Sequence, residues 1–340
     1  MLWCLLALVQ ARTADVSAIG KLLEQFHDHR IVGLAELHQS AECHKFLRQL
    51  VRDPRFSGAV DDIVVEFGNP LYQARMDRYI AGGSVAQSAL RRAWQNTTQF
   101  LAWDCPLYQR FFETVRSANH GRRKKVRVIL GDSPIDWRRV RSAKQYEPYA
   151  TRDDFYFAAV DRLVKHGDRV LLIAGGMHLT RRDVRGAAAR TPRPGPRLPT
   201  LQTRYGDKFC VVWTLAGQSA VTDMLHPRAY PWFVGVPESG LAGASSKLIL
   251  PKGIKFFRNV SGKAVFYEPD EAVMPTLGEV IDEFLVLSPN STTVLPGPSA
   301  FRDKGYVAEL GRRAKILKAV FGFDFEADLD ALVSASPNPR

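Results

Sequence analysis

The sequence predicts an α/β fold: a central, mostly parallel sheet with helices on both faces, followed by a C-terminal α+β extension. Three observations carry this expectation. Short apolar runs rich in β-branched residues recur through the first two-thirds of the 340 residues, as buried parallel strands do. Helical patterns separate those runs, the alternation expected of a sheet covered on both sides. Acidic or imidazole groups also stand at or just beyond the ends of four consecutive runs, the edge where such sheets bind ligands.

The strand candidates are 30–34, 62–66, 126–130, 169–174 and 209–215. Between them, 41–51 reads as a helix carrying Phe46, Leu47 and Leu50. A second helix is expected over 70–81, where Pro70 in the first turn loses no needed N–H. The Gly82-Gly83 break is followed by a helix over 84–94 with Ser84 as its N-cap. Helices over 106–119 and 153–166 complete the set. The segment 181–199, rich in Arg, Pro and Gly, reads as a surface loop. Beyond 217 the alternation fades. Residues 247–250 and 255–257 read as strands, and 277–285 and 305–321 as helices. No long linker interrupts the chain and no repeat is visible. The expected plan is a leader over 1–11, an α/β core over 12–217, and an extension over 218–340 packed on that core.

With 46% hydrophobic and 24% charged residues the composition is that of a globular protein. The 47 basic residues exceed the 35 acidic ones, for a formal charge of +12. They are mostly Arg and scattered, and the densest run, 121–125, leads into an apolar stretch. No nucleic-acid-binding module accompanies the charge, so no nucleic-acid partner is expected. Cys4, Cys43, Cys105 and Cys210 form no C-x-x-C pair, which removes zinc-knuckle and thioredoxin-like readings. The apolar stretch 1–11 ends in Val9-Gln10-Ala11, suited to signal peptidase, although it is short and lacks a basic start. The expectation is export to the periplasm or medium; the alternative is an apolar N-terminal element in the core. No later run approaches the ~20 apolar residues a transmembrane helix needs.

The groups at the strand ends are specific. Glu36 and His38 follow the first run, Glu66 ends the second, Asp132 follows the third and His178 the fourth. Each alone has an ordinary explanation as a surface carboxylate, a helix cap or a satisfied histidine. Together they point to one pocket built from Glu36, His38, Glu66 and His178. Residues two apart in an extended chain point the same way, so Glu36 and His38 can face a common site. Two histidines and two carboxylates suffice for Mn²⁺, Fe²⁺ or Zn²⁺ with an open position. They serve equally without metal, with one imidazole as general base and a carboxylate orienting it. Asp132 and Asp104, both plausible helix caps, are second-tier candidates. So is His44, read with Glu42 as a rim or solvated helix residue. Gly175 and Gly176 before His178 allow a ligand to approach backbone N–H groups.

These residues carry a family resemblance. The stretch 33–38, ending Glu36-Leu37-His38, resembles the opening motif of ChaN-like haem-binding proteins and the longer motif of erythromycin esterases. Glu66, followed by Tyr72, Gln73 and the helix running to Gly82, resembles the second ChaN-like block. The stretch 173–178 resembles the late block shared by ChaN-like proteins and Tiki proteases. The resemblance spans roughly 28–216 with its blocks in order. Two departures are Ala35, where glycine usually precedes the first Glu, and the missing glycine-rich turn after Gly176. The superfamily implies ester hydrolysis by a water-activating histidine, metal-dependent peptide cleavage, or haem binding in iron uptake. Length and the spacing of the first motif argue against erythromycin esterase itself. The expected function is therefore hydrolysis of an ester or amide bond in a small-molecule or peptide substrate, with metal assistance as one route. The alternative is a haem- or iron-binding uptake protein without turnover, which requires an exposed Tyr or His as axial ligand.

Overall fold

A computed structural model of the chain describes residues 17–184, 201–225, 228–251, 253–260, 263–297 and 300–334. The expected leader, 1–11, and the loop from 185 to 199 lie outside the described residues. The strands are β1 (Ile31–Glu36), β2 (Asp62–Val65), β3 (Arg127–Leu130), β4 (Val170–Gly175), β5 (Phe209–Ala216), β6 (Trp232–Gly235), β7 (Phe256–Val260), β8 (Lys263–Tyr267) and β9 (Glu283–Ser288). The longer helices are α1 (Ala18–Asp28), α2 (Ala41–Arg52), α3 (Gln73–Ile80), α4 (Gln87–Gln95), α5 (Pro106–Asn119), α6 (Arg152–His166), α7 (Lys304–Phe321) and α8 (Phe325–Ser334).

Seven strands form one sheet in the order β3-β2-β4-β1-β5-β9-β6, and β7 pairs with β8 in a separate hairpin. All neighbours in the large sheet are parallel except β6, which runs antiparallel to β9. The five strands expected from the sequence are β1 to β5, and their parallel pairing is the expected α/β architecture. Alternation along the strands divides the core. Val32 and Leu34 of β1 pack with Phe46, Leu47 and Leu50 of α2 and with Phe111 and Phe112 of α5. Ile31 and Ala35 face the other way, in the cluster that holds Tyr156, Val160 and Leu163 of α6.

Local differences from the sequence reading have physical causes. Residues 247–250 form a 3₁₀ turn, Ser246–Ile249, rather than a strand. The helix expected over 277–285 stops at Val280. Beyond it, Phe284, Leu285, Val286 and Leu287 enter the main sheet as β9, where apolar residues are buried on both faces. The C-terminal region therefore contributes β6 and β9 to the same sheet as β1. Pro70 opens a 3₁₀ turn, and α3 begins at Gln73. Helix α4 starts at Gln87, and Ala86, not Ser84, occupies its N-cap position. Cys43, Cys105 and Cys210 are buried free thiols.

Candidate active site

The sheet register sets the centre of the site. Glu36, the last residue of β1, lies opposite Gly175, the last of β4. On the other side of β4, β2 ends at Val65 paired with Ile173, and the Glu66 amide donates to the Ile173 carbonyl at 3.0 Å. The two carboxylates thus flank one glycine at the carboxyl edge of the sheet. Glu36 follows the parity of Val32 and Leu34, so its side chain meets α2 and α5; Glu66 follows Val64 toward α6.

On the first face, three groups converge on the buried Glu36 carboxylate. His38 Nδ1 lies 2.5 Å from Oε2, His44 Nε2 lies 2.9 Å from Oε1, and the Tyr108 hydroxyl donates to Oε1 at 3.1 Å. Burial raises the carboxyl pKa, but the charges and hydrogen bonds of His38 and then His44 outweigh it, holding Glu36 at about 2. Burial and the adjacent Glu36 push the Tyr108 hydroxyl well above its usual range. His44 is fully buried on the inward face of α2, not at a solvated rim. Ser40 caps that helix, accepting from the Cys43 amide at 3.2 Å. Between His38 and the cap, Gln39 adopts φ 61°, a left-handed conformation. Its amide donates to the Tyr108 hydroxyl at 3.1 Å, which helps to hold the sharp turn carrying His38.

On the second face, the Glu66 carboxylate is buried against Arg152, the first residue of α6, in an ion pair. It also accepts from the Gly175 amide at 2.6 Å and lies 3.5 Å from His178 Nε2. Burial raises its pKa; Arg152, followed by His178 and His38, outweighs this and holds it at about 2. Arg152 Nε donates to Asp132 at 3.0 Å, and Asp132 accepts from the Thr98 amide and hydroxyl at 2.6 and 2.8 Å. Burial opposes the charge on Arg152, but Glu66 and Asp132 raise its pKa. His178 Nδ1 lies 2.8 Å from Asp153, which also accepts from the Tyr156 hydroxyl at 2.6 Å.

His38 joins the halves. A Cβ placed on Gly175 would lie 2.9 Å from His38 Cε1, 3.2 Å from its Nε2 and 3.4 Å from Glu66 Oε2. Glycine is needed here so that the imidazole can cross the strand end toward Glu66. The His38 ring stands edge-on to Trp103, with centroids 4.7 Å apart, and its side chain is 44% exposed. Glu66 and Asp132 hold the Arg152 guanidinium, Glu36 and Asp153 each engage a histidine, and both histidines respond. Burial lowers the pKa of each, yet Glu36 raises that of His38, and Glu66 with Asp153 raises that of His178.

The structure thus brings Glu36, His38, Glu66 and His178 together and adds His44. Asp132 is no helix cap; it anchors Arg152. Asp104 stands apart from the cluster: it accepts from Gln95 at 3.0 Å, and Cys105, not Asp104, occupies the N-cap position of α5. The Gly175 amide expected to greet a ligand is engaged otherwise. Gly175 N–H serves Glu66, and Gly176 packs against the Trp213 ring. Sequence reasoning missed Arg152, Asp153 and Tyr108. For Arg152 the available signal was a lone arginine in register with Tyr156, Val160 and Leu163 on the inward stripe of a helix. Asp153 reads from sequence as an ordinary first-turn acid.

The donor set does not fit the four-ligand metal centre that the sequence left open as one of two routes. Among the described residues no group of three or more His, Cys, Asp or Glu side chains is arranged to hold a metal ion. The reason is local: Arg152 occupies the cation position beside Glu66, and Glu36 is saturated by His38, His44 and Tyr108. For haem, the exposed His38 imidazole, with Nδ1 held by Glu36, is a candidate axial ligand. Two open clefts have volumes of about 440 and 460 Å³: one beside β3 and α6, lined in part by Asp132, and one between the ends of α3 and α5.

A parallel sheet with a carboxylate–histidine cluster at its carboxyl edge defines the class of molecule. No protein-family model matches the sequence, and no curated protein matches it. Among solved structures, the fold is similar to that of a succinoglycan biosynthesis protein, with TM-score 0.52 and 11% identity over 84% of this chain and 93% of that one. Weaker likenesses are to an erythromycin esterase mutant, EreC in its open conformation (TM-score 0.47, 13% identity, 85% and 97% covered), and to ChaN of Campylobacter jejuni with cofacially bound haem (0.37, 14%, 58% and 86%). Such identities speak to fold and not to activity.

Proposed function

We propose that the chain is a hydrolase of carboxylic esters or amides that activates water with His38. The observation that carries this reading is the pair of carboxylate–imidazole dyads, Glu36–His38 and Asp153–His178, meeting at Gly175 and Glu66. With Nδ1 directed at Glu36, the Nε2 of His38 is left as the basic atom beside Gly175. It takes a proton from water while the oxygen adds to the substrate carbonyl carbon. Glu36 fixes the ring and stabilises the imidazolium that forms. His178, whose pKa Glu66 and Asp153 raise, then delivers a proton to the departing alcohol or amine. The products are the carboxylic acid and the alcohol or amine, and both histidines return to their starting states by proton exchange with solvent. Arg152 is a positioning residue, holding Glu66 against Gly175.

The test is turnover of p-nitrophenyl ester and chromogenic amide panels by the wild type and by His38→Ala. Turnover lost by roughly 10²–10⁴-fold in the variant supports the reading. A wild type inert across both panels that develops a Soret band with haem, abolished by His38→Ala, overturns it in favour of the binding protein.

A further inference from the structure

The main sheet leaves a second feature that the site does not use. The β7–β8 hairpin stands apart from the seven-stranded sheet, and two-stranded ribbons are marginal unless something covers them. Phe257 and Phe266 are direct cross-strand partners. Both touch Phe323 beyond α7, with ring centroids 4.3 and 5.8 Å apart, yet they remain 39% and 53% exposed. By strand alternation, Val260 and Val265 belong to the opposite face, and they are 44% and 41% exposed. Four of the large apolar residues most open to solvent thus fall within ten positions. Apolar exposure concentrated in this way marks an interaction surface.

Charge points to the occupant. From 255 to 267 the sequence carries Lys255, Arg258 and Lys263 and no acidic residue. Lys255 and Lys263 are exposed and form no ion pair among the described residues. We infer that this hairpin is a wedge for an anionic lipid surface. A rigid protein partner would cover one face of a ribbon, whereas the apolar groups here lie on both, and the interfacial zone of a bilayer can surround both. Flanking lysines meet anionic headgroups while Phe and Val enter the acyl boundary. A nucleic-acid partner would stack bases on the phenylalanines, but it gives the valines of the other face nothing to gain. No helix among the described residues is long and apolar enough to cross a membrane; insertion of the hairpin alone is attachment to the interface.

The experiment is co-sedimentation of the full chain with phosphatidylcholine vesicles, with and without about one-third phosphatidylglycerol. The wild type should partition at least about tenfold more strongly into the anionic vesicles. Lys255→Glu with Lys263→Glu should erase that preference, at roughly fivefold per lysine. Phe266→Ser and Val265→Ser, on opposite faces, should each weaken binding several-fold, with the thermal midpoint unchanged as the control for folding. Equal partition into neutral and anionic vesicles, or full binding by both apolar variants, overturns the inference. So does preferential capture of a single-stranded oligonucleotide in direct competition with the vesicles.

Discussion

Replacing Arg152 with Met would test the electrostatic core of the site. Arg152 is buried, and its guanidinium joins Glu66 and Asp132, themselves buried. In the native protein Glu66 is held at about 2 against an ordinary 4.5. That displacement corresponds to about 3 kcal/mol of stabilisation at neutral pH. A depressed carboxyl pKa stabilises the fold fully above 4.5, and the contribution is lost as pH falls toward 2. Met fills a similar volume without charge, so burial then governs Glu66 and lifts its folded pKa. The variant should lose about 3–5 kcal/mol at pH 7, the usual cost of stranding a buried charge. The deficit should shrink toward pH 4, where Glu66 in the variant takes up a proton. Urea denaturation followed by circular dichroism at the two pH values measures both quantities. A deficit below about 1 kcal/mol at pH 7, or one that does not change with pH, would refute the assignment of Arg152 as the counter-charge of Glu66.

The histidine roles give further expectations. His38→Ala should cost roughly 10²–10⁴-fold in turnover and also lower stability, since it removes the leading partner of the buried Glu36 carboxylate, and urea midpoints read beside rates separate the two effects. The proposed base and acid roles of the two histidines predict a bell-shaped rate profile, displaced upward because the pKa of each is raised. Its rising limb lies above pH 6.5 as His38 loses its proton, and its fall follows loss of the proton from His178; a flat profile from pH 6 to 9 would contradict the acid–base pair. Gly175→Ala places a methyl group 2.9 Å from His38 Cε1, so activity should fall with the far-ultraviolet spectrum intact, and full activity would show that His38 does not need the crossing. His44→Phe removes a hydrogen bond from Glu36 inside a buried pocket and should lower both stability and the rate, the rate loss tracking a shifted rising limb in the pH profile.

Local pattern carried much of the architecture. Each of β1 to β5 is a short β-branched run, and such runs are buried on both faces only inside a parallel sheet. Strand ends were equally legible, because the polar groups at Glu36, Glu66, Asp132 and His178 interrupt apolar runs. The rule that sites gather at the carboxyl edge of such sheets converts Glu36, His38, Glu66 and His178 into one candidate pocket. The 277–285 segment shows the limit. Its apolar residues suit either period, and only a vacant sheet position beside β5 makes 283–288 a strand.

What the sequence determined by itself is therefore the fold class, the strand ends and the four polar residues placed there, all of which follow from periodicity within a few neighbouring residues. Tertiary structure alone decided the chemistry of those residues. Arg152 stands 86 positions from Glu66 and Tyr108 72 from Glu36, so no local pattern could pair them. Whether Glu66 would face a metal or a guanidinium depended on which helix packs over β2 and in what register. Packing of α6 put Arg152 there, and the low dielectric of the buried site gave that single substitution of partner its weight.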